Sequence, residues 1–136
     1  MAYRLEDQVG YLLRKAHQRA TAIFQATMPD PITPTQFTAM VRLSEEGELS
    51  QNRLGRLTAM DPATIQGVIR RLVEQDLVET RADPVDRRRR LLRLSDAGKE
   101  HIESLIPHGP AVSDRTLEPL SPAERRTFLA LLQRLT

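Results

Sequence analysis

Leu5, Val9, Leu12, Leu13, Ala16, Ala20, Ile23 and Phe24 recur at the three-to-four-residue spacing that lines apolar side chains along one face of a helix. No proline interrupts them before the Pro29-Asp30-Pro31 breaker. The pattern predicts one long helix over residues 5–27. Thr33-Pro34-Thr35-Gln36 opens a second helix. The threonine oxygen can accept from the third helical N–H, Gln36 can reach back to Thr33, and Pro34 stands where a missing N–H costs nothing. Phe37, Met40, Val41 and Leu43 form its apolar stripe, and Gly47 stops it. Ser50 caps a short third helix that turns Leu54 and Leu57 inward. Met60-Asp61-Pro62 ends it and starts a fourth, with Asp61 as N-cap and Ile65, Val68, Ile69, Leu72 and Val73 at helical spacing.

Two short helices joined by a tight turn, the second the better capped, have helix-turn-helix geometry. The period then changes. Leu77–Arg81 and Arg90–Leu94 read as strands, with Asp83-Pro84-Val85-Asp86 supplying the turn between them. A hairpin directly after a helix-turn-helix is a wing. Ser95 caps a helix carrying Ile102, Leu105 and Ile106, which Pro107 and Pro110 interrupt before it resumes over 112–117. Ser121-Pro122-Ala123-Glu124 is a second capping box, launching a last helix with Phe128, Leu129, Leu131, Leu132 and Leu135. Those five cover more than one face, so the helix needs cover that a small chain cannot supply alone, and a partner chain is expected. The fold class is mainly α with a small β-hairpin wing. The chain reads as one domain over 1–136: a winged helix-turn-helix lobe at 33–95, and dimerisation helices at 5–27 with 96–136.

Composition narrows the function. The chain has 136 residues, 40% hydrophobic and 28% charged, about one domain with a real core. It has no cysteine, which excludes disulfide scaffolds, thiolate metal sites and cysteine nucleophiles. No uncharged stretch approaches the roughly 20 apolar residues of a membrane span. The first residues carry Glu6 and Asp7 where a signal peptide carries basic then apolar residues. A cytoplasmic protein without membrane contact is expected. There is no glycine-rich phosphate loop, nucleophile elbow or inward carboxylate pair, and the histidines lack metal-ligand spacing. No enzyme activity, metal or cofactor is expected.

The net charge of +2 argues for no partner, but its distribution does. Arginines stand at 81, 87, 88, 89, 90 and 93 against only Asp83 and Asp86. Alone, such a run is equally a solvated surface. Beside a helix-turn-helix it points to double-stranded DNA. The first turns of the fourth helix hold Ala63, Thr64, Gln66, Gly67, Arg70 and Arg71. Gln66 can pair bidentately with adenine and Arg70 with guanine, while Thr64 can bond a base edge or touch a thymine methyl. Small residues at 63 and 67 let the backbone approach the groove floor. Taken singly, Arg70 and Arg71 are also ordinary exposed helix residues. Of Arg87, Arg88, Arg89 and Arg90 at the hairpin tip, one or two suit the narrow minor groove, the others phosphate or Asp83 and Asp86. Ser50, Gln51 and Asn52 are placed for phosphate contact, for simple capping, or for both.

Ser50-Gln51-Asn52-Arg53-Leu54-Gly55-Arg56-Leu57 resembles the first helix of the motif in the MarR family of winged-helix repressors, and Ala63–Leu72 resembles its recognition helix. The strand, wing and following helix are similar at 77–81, 83–90 and 94–98. The resemblance implies a homodimer with intertwined terminal helices, a palindromic operator, and release of DNA by a small ligand. It also implies that Asp86 braces the wing while Arg88 reaches the minor groove. A dimeric winged-helix module that contacts protein and does not bind DNA specifically is the alternative.

Tyr11, Arg14 and His17 lie three residues apart on the first helix. Ring, cation and imidazole together could hold an aromatic carboxylate, or be exposed or paired across a dimer. The run Val9–Arg19 is similar to the branch of the family responding to aromatic acids or their coenzyme A thioesters. His17 is the leading pocket residue; His101 and His108 are assigned to the surface.

Overall fold

A computed structural model describes residues 2–136. The chain divides into two compact units. The first comprises residues 2–28 and His108–Thr136, and the second is Pro29–Pro107.

In the first unit, a 3-10 turn at Leu5–Asp7 precedes α1, Val9–Thr27. The long predicted helix therefore begins late: Gln8 is extended and its side chain accepts the Tyr11 N–H, an N-cap that apolar spacing does not reveal. A 3-10 turn at Ile106–His108, whose first two residues belong to the second unit, leads into α6, Gly109–Thr116, and α7 is Pro122–Gln133. α6 packs on α1. Arg19 donates to the Thr116 and Arg115 carbonyls at the end of α6, and Arg115 donates to Thr27 Oγ1. Arg19 thereby serves carbonyls that lack intrahelical partners at the end of α6, while Arg115 reaches the side-chain hydroxyl of the last residue of α1. Apolar residues of α7 remain open: Phe128, Leu129 and Leu131 are exposed, and Leu135, just beyond the helix, is 69% exposed.

The second unit holds α2 (Pro34–Glu46), β1 (Glu48–Ser50), α3 (Gln51–Leu57), α4 (Pro62–Glu74), β2 (Val78–Ala82), β3 (Arg90–Leu94) and α5 (Asp96–Leu105). The predicted caps form. Thr33 and Gln36 make a capping box, and Ser50, Asp61 and Ser95 each accept the N–H three residues on. The core is Met40, Leu43, Leu54, Ile65, Leu72, Leu92, Ile102 and Leu105, all essentially fully buried. Full burial of one such side chain contributes about 1.5–3 kcal/mol.

Two features depart from the sequence reading. The wing hairpin is part of a three-stranded antiparallel sheet in the order β1-β3-β2, because Glu48–Ser50 pairs with Leu91–Arg93. Three residues are too few to show a strand period. The second departure is α5, which the sequence reading grouped with the helix at 5–27. It lies in this unit and packs on α2 and β3, with Gly98, Ile102 and Leu105 buried.

Candidate functional site

The inward face of α4 is Ile65, Val68, Ile69 and Leu72, all buried. Helical periodicity then turns Ala63, Thr64, Gln66, Arg70 and Arg71 outward, and all five are exposed. Asp61 orients the start of the helix by accepting the Thr64 N–H at 2.8 Å. That bond holds its carboxyl below the usual range. In the preceding turn, Ala59 takes the left-handed conformation with φ 55°, and the Met60 N–H reaches the Gly55 carbonyl at 2.9 Å. A β-carbon on Gly55 would stand 3.2 Å from the Met60 oxygen and 3.3 Å from Ile65 Cγ2, so glycine lets α3 and α4 close on their turn.

Gln66, Arg70 and Arg71 make no side-chain hydrogen bond or ion pair among the described residues. Their polar groups are therefore available to a partner. Gly67 lies between them in the interior of the helix, where glycine costs about 1 kcal/mol relative to alanine. Thr33 and Thr35, at the start of α2, form the other wall of a shallow cleft with Thr64, Gly67, Arg70 and Arg71. The two threonines were not anticipated, since only the packing of α2 against α4 brings them there.

A second hollow is lined by Ser50, Gln51, Asn52, Arg88, Arg89 and Arg90. The fold thus joins the start of α3 to the wing run nearly forty positions away. Ser50 itself is buried, and its Oγ accepts the Arg53 N–H at 3.2 Å. Gln51 and Asn52 are the more open of the three.

The six arginines of the basic stretch have different fates. Arg81 donates twice to Glu48, at 2.8 and 3.0 Å, bridging β2 to β1 across the central strand. This pairing holds the Glu48 carboxyl below its usual range, and Glu48 raises Arg81 in turn. Arg93 donates to Glu79 at 2.9 Å, and Arg90 to Thr80 Oγ1 at 2.7 Å. Arg89 faces Asp83 at 3.9 Å. Arg88 touches Asp86 at 3.2 Å, yet its side chain is 92% exposed. Arg87 is exposed and has no ion pair among the described residues. By exposure Arg87 and Arg88 project furthest from the wing, Arg90 is tied back by Thr80, and Arg89 stands between, leaning toward Asp83.

The wing has two carboxylate braces. Asp86 accepts the Arg88 N–H at 3.1 Å. Asp83 accepts the Val85 N–H at 2.9 Å, and its side chain is only 13% exposed. The Val85 N–H is the chief reason its carboxyl lies below the usual range. The signal for Asp83 was present, because an aspartate before proline favours a turn closed by its own side chain.

On α1, Arg14 and His17 share a hollow with Gln18, Thr21, Ala22 and Gln25. Tyr11 is not in it, and the Lys15 ammonium lies 5.5 Å over its ring. The sequence signal for the added members is the polar stripe Arg14, Gln18, Thr21, Gln25 at helical spacing. His101 is half-buried with Nδ1 3.8 Å from Asp30, and His108 is exposed. Among the described residues no cluster of three metal-ligating side chains occurs, and no helix is long and apolar enough to cross a membrane.

Comparison with known proteins matches residues 30–89 to the MarR family. The chain is 40% identical to the HTH-type transcriptional repressor NicR of Pseudomonas putida, over 98% of this chain and 85% of that protein. It superposes with a TM-score of 0.92 on a probable transcriptional regulator from Pseudomonas aeruginosa, at 47% identity and covering 98% of this chain and 100% of the other. It is also similar to Bordetella bronchiseptica BpsR, whose DNA binding is regulated by 6-hydroxynicotinic acid. There the TM-score is 0.91 and the identity 38%, covering 99% of this chain and 97% of BpsR. These likenesses span helices, sheet and wing alike, and the relatives are named as regulators of transcription, not enzymes. The chain belongs to the MarR family and is a winged-helix transcriptional regulator.

Proposed function

We propose that this regulator is a repressor that binds a palindromic operator as a homodimer and is released from it by a small aromatic carboxylate or its coenzyme A thioester. The observation that carries the DNA-binding part is the open set of donors on one unit. Gln66, Arg70 and Arg71 on α4 and Arg87 and Arg88 on the wing are exposed and, apart from the Arg88–Asp86 contact, unpaired among the described residues. α4 reads base edges in the major groove through Thr64, Gln66 and Arg70. Arg87 and Arg88 reach the adjacent minor groove. Gln51, Asn52 and Arg71 contact phosphates and position the protein.

The homodimer is supported by the apolar groove of Val9, Leu13, Phe128, Leu131, Leu132 and Leu135. An exposed surface of that kind marks an interaction site. The effector class is supported by the cation and imidazole in the α1 hollow and by BpsR, which is regulated by a pyridine carboxylic acid.

The test is selection of duplexes from a random-sequence pool, then titration of the enriched duplex at several salt concentrations. Enrichment of an inverted repeat with half-sites about one helical turn apart supports the proposal. Binding independent of sequence refutes it, and no DNA complex even at low salt favours a protein-contact module. 6-Hydroxynicotinate and benzoate-type acids, with their thioesters, are then added to the complex. Release by any of them supports the effector assignment, and release by none removes it.

A further inference from the structure

Glycines inside helices usually have a steric reason, and two of them here do. A β-carbon on Gly98 would come within 2.0 Å of the Leu77 carbonyl oxygen, and one on Gly55 would press on Met60 and Ile65. Gly67 has none. It is the sixth residue of a 13-residue helix, its φ is not in the left-handed region, and a β-carbon there would meet nothing within 4 Å. The fold loses helical stability to this glycine and gains no internal contact from it.

Its neighbours on the same face give the missing contact a chemistry. Ala63 and Thr64 lie one turn before it and Arg70 and Arg71 one turn after. The result is a low strip of small side chains beside two unpaired guanidiniums, continuous with the cleft toward Thr35. A strip of that profile fits a rigid polyanionic surface that must come close to the helix backbone.

We infer that Gly67 is the point where the operator duplex touches the backbone of α4, so that its missing side chain sets how deeply the helix seats in the major groove and makes it a determinant of specificity. This rests on α4 being the DNA-facing helix.

The experiment uses the full chain and the duplex it enriches from a random pool, with Gly67→Ala and Gly67→Leu. Gly67→Ala leaves the thermal midpoint unchanged or raises it, because alanine favours helix and finds empty space. Its affinity for the enriched duplex falls on the order of tenfold, and that of Gly67→Leu falls further, the scale of losing one base contact. Affinity for random duplex, which depends on phosphates, stays within about threefold. A Gly67→Ala protein that binds the enriched duplex like the parent overturns the inference. A lowered thermal midpoint overturns it too, since the glycine would then serve the fold. If the unsubstituted protein enriches no sequence, the reading of α4 fails and the inference falls with it. Loss confined to the variants separates the two.

Discussion

Gly98 and Leu77 are locked together: no side chain larger than hydrogen fits at Gly98, because the Leu77 carbonyl oxygen lies 2.0 Å from where a β-carbon would sit. That carbonyl also accepts the Ser95 N–H at 3.0 Å, and Ser95 Oγ donates to the Asp76 carbonyl at 2.6 Å. The first turn of α5 is thereby fastened to the segment where α4 hands over to β2. The base of the wing is held from both ends.

Gly98→Ala therefore forces α5 away from the Leu77 backbone that leads into β2. Overpacking of this kind costs about 1–3 kcal/mol. Chemical denaturation reads the loss directly, and a variant as stable as the parent would falsify the close contact. Gly67→Ala, by contrast, is not expected to lower stability, because a β-carbon there meets nothing within 4 Å.

Within the wing, Arg87→Ala and Arg88→Ala weaken operator binding without lowering the unfolding midpoint, since Arg87 has no ion pair among the described residues and the Arg88–Asp86 contact is too exposed to add much stability. Where the arginine neutralises a phosphate, the slope of log K against log salt shallows by about 0.9. Arg90→Ala behaves differently: it loses the bond to Thr80 and disturbs the hairpin first. Equal effects of all three on affinity and midpoint would contradict the division between projecting and tied-back arginines.

Gln66→Ala relaxes discrimination at a single operator position and costs about 1–3 kcal/mol on the preferred base pair. Binding to a panel of singly substituted duplexes measures this. If every base substitution retains its original penalty, Gln66 is not a reader.

On α1, Arg14→Ala and His17→Ala leave operator affinity unchanged but raise the acid concentration needed for release. Tyr11→Ala has a smaller effect, because Tyr11 lies outside the hollow and under Lys15. Parallel loss of DNA affinity and acid response in both variants would mean a structural role for the pair.

Acid should destabilise the protein through several carboxylates at once. Glu48 is held low by Arg81, Asp61 by the Thr64 N–H, Asp83 by the Val85 N–H, and Glu124 by the Ser121 N–H. In each case the folded state favours the ionised form. The stabilisation is thus complete above the ordinary carboxylate range and is lost as pH falls through the lowered values. Thermal midpoints should be flat near neutrality and decline below the ordinary carboxylate range. In Glu48→Gln the decline is shallower. An identical acid profile for that variant would show that the Arg81 pairing does not contribute.

Much of this architecture was legible in the residues themselves, because helices and their caps are decided within three or four positions. Thr33 with Gln36, Ser50, Asp61, Ser95 and Ser121 with Glu124 all cap where their side chains and neighbours say they should. The outward set on α4 follows from the same periodicity, since Ile65, Val68, Ile69 and Leu72 leave only one face free. Contacts between distant segments carry no such mark. β1 exists because Glu48–Ser50 meets a strand more than forty residues later, and that meeting also takes Arg81 out of the basic run by giving it Glu48. Which arginines project, which wing carboxylate is the more shielded, and why Gly98 must be glycine while Gly67 need not be for the fold were settled only by packing. Local bonding has a fixed sequence separation and can be read from a string. Charge pairing and steric room depend on what the chain brings back from far away, and only the tertiary structure says what that is.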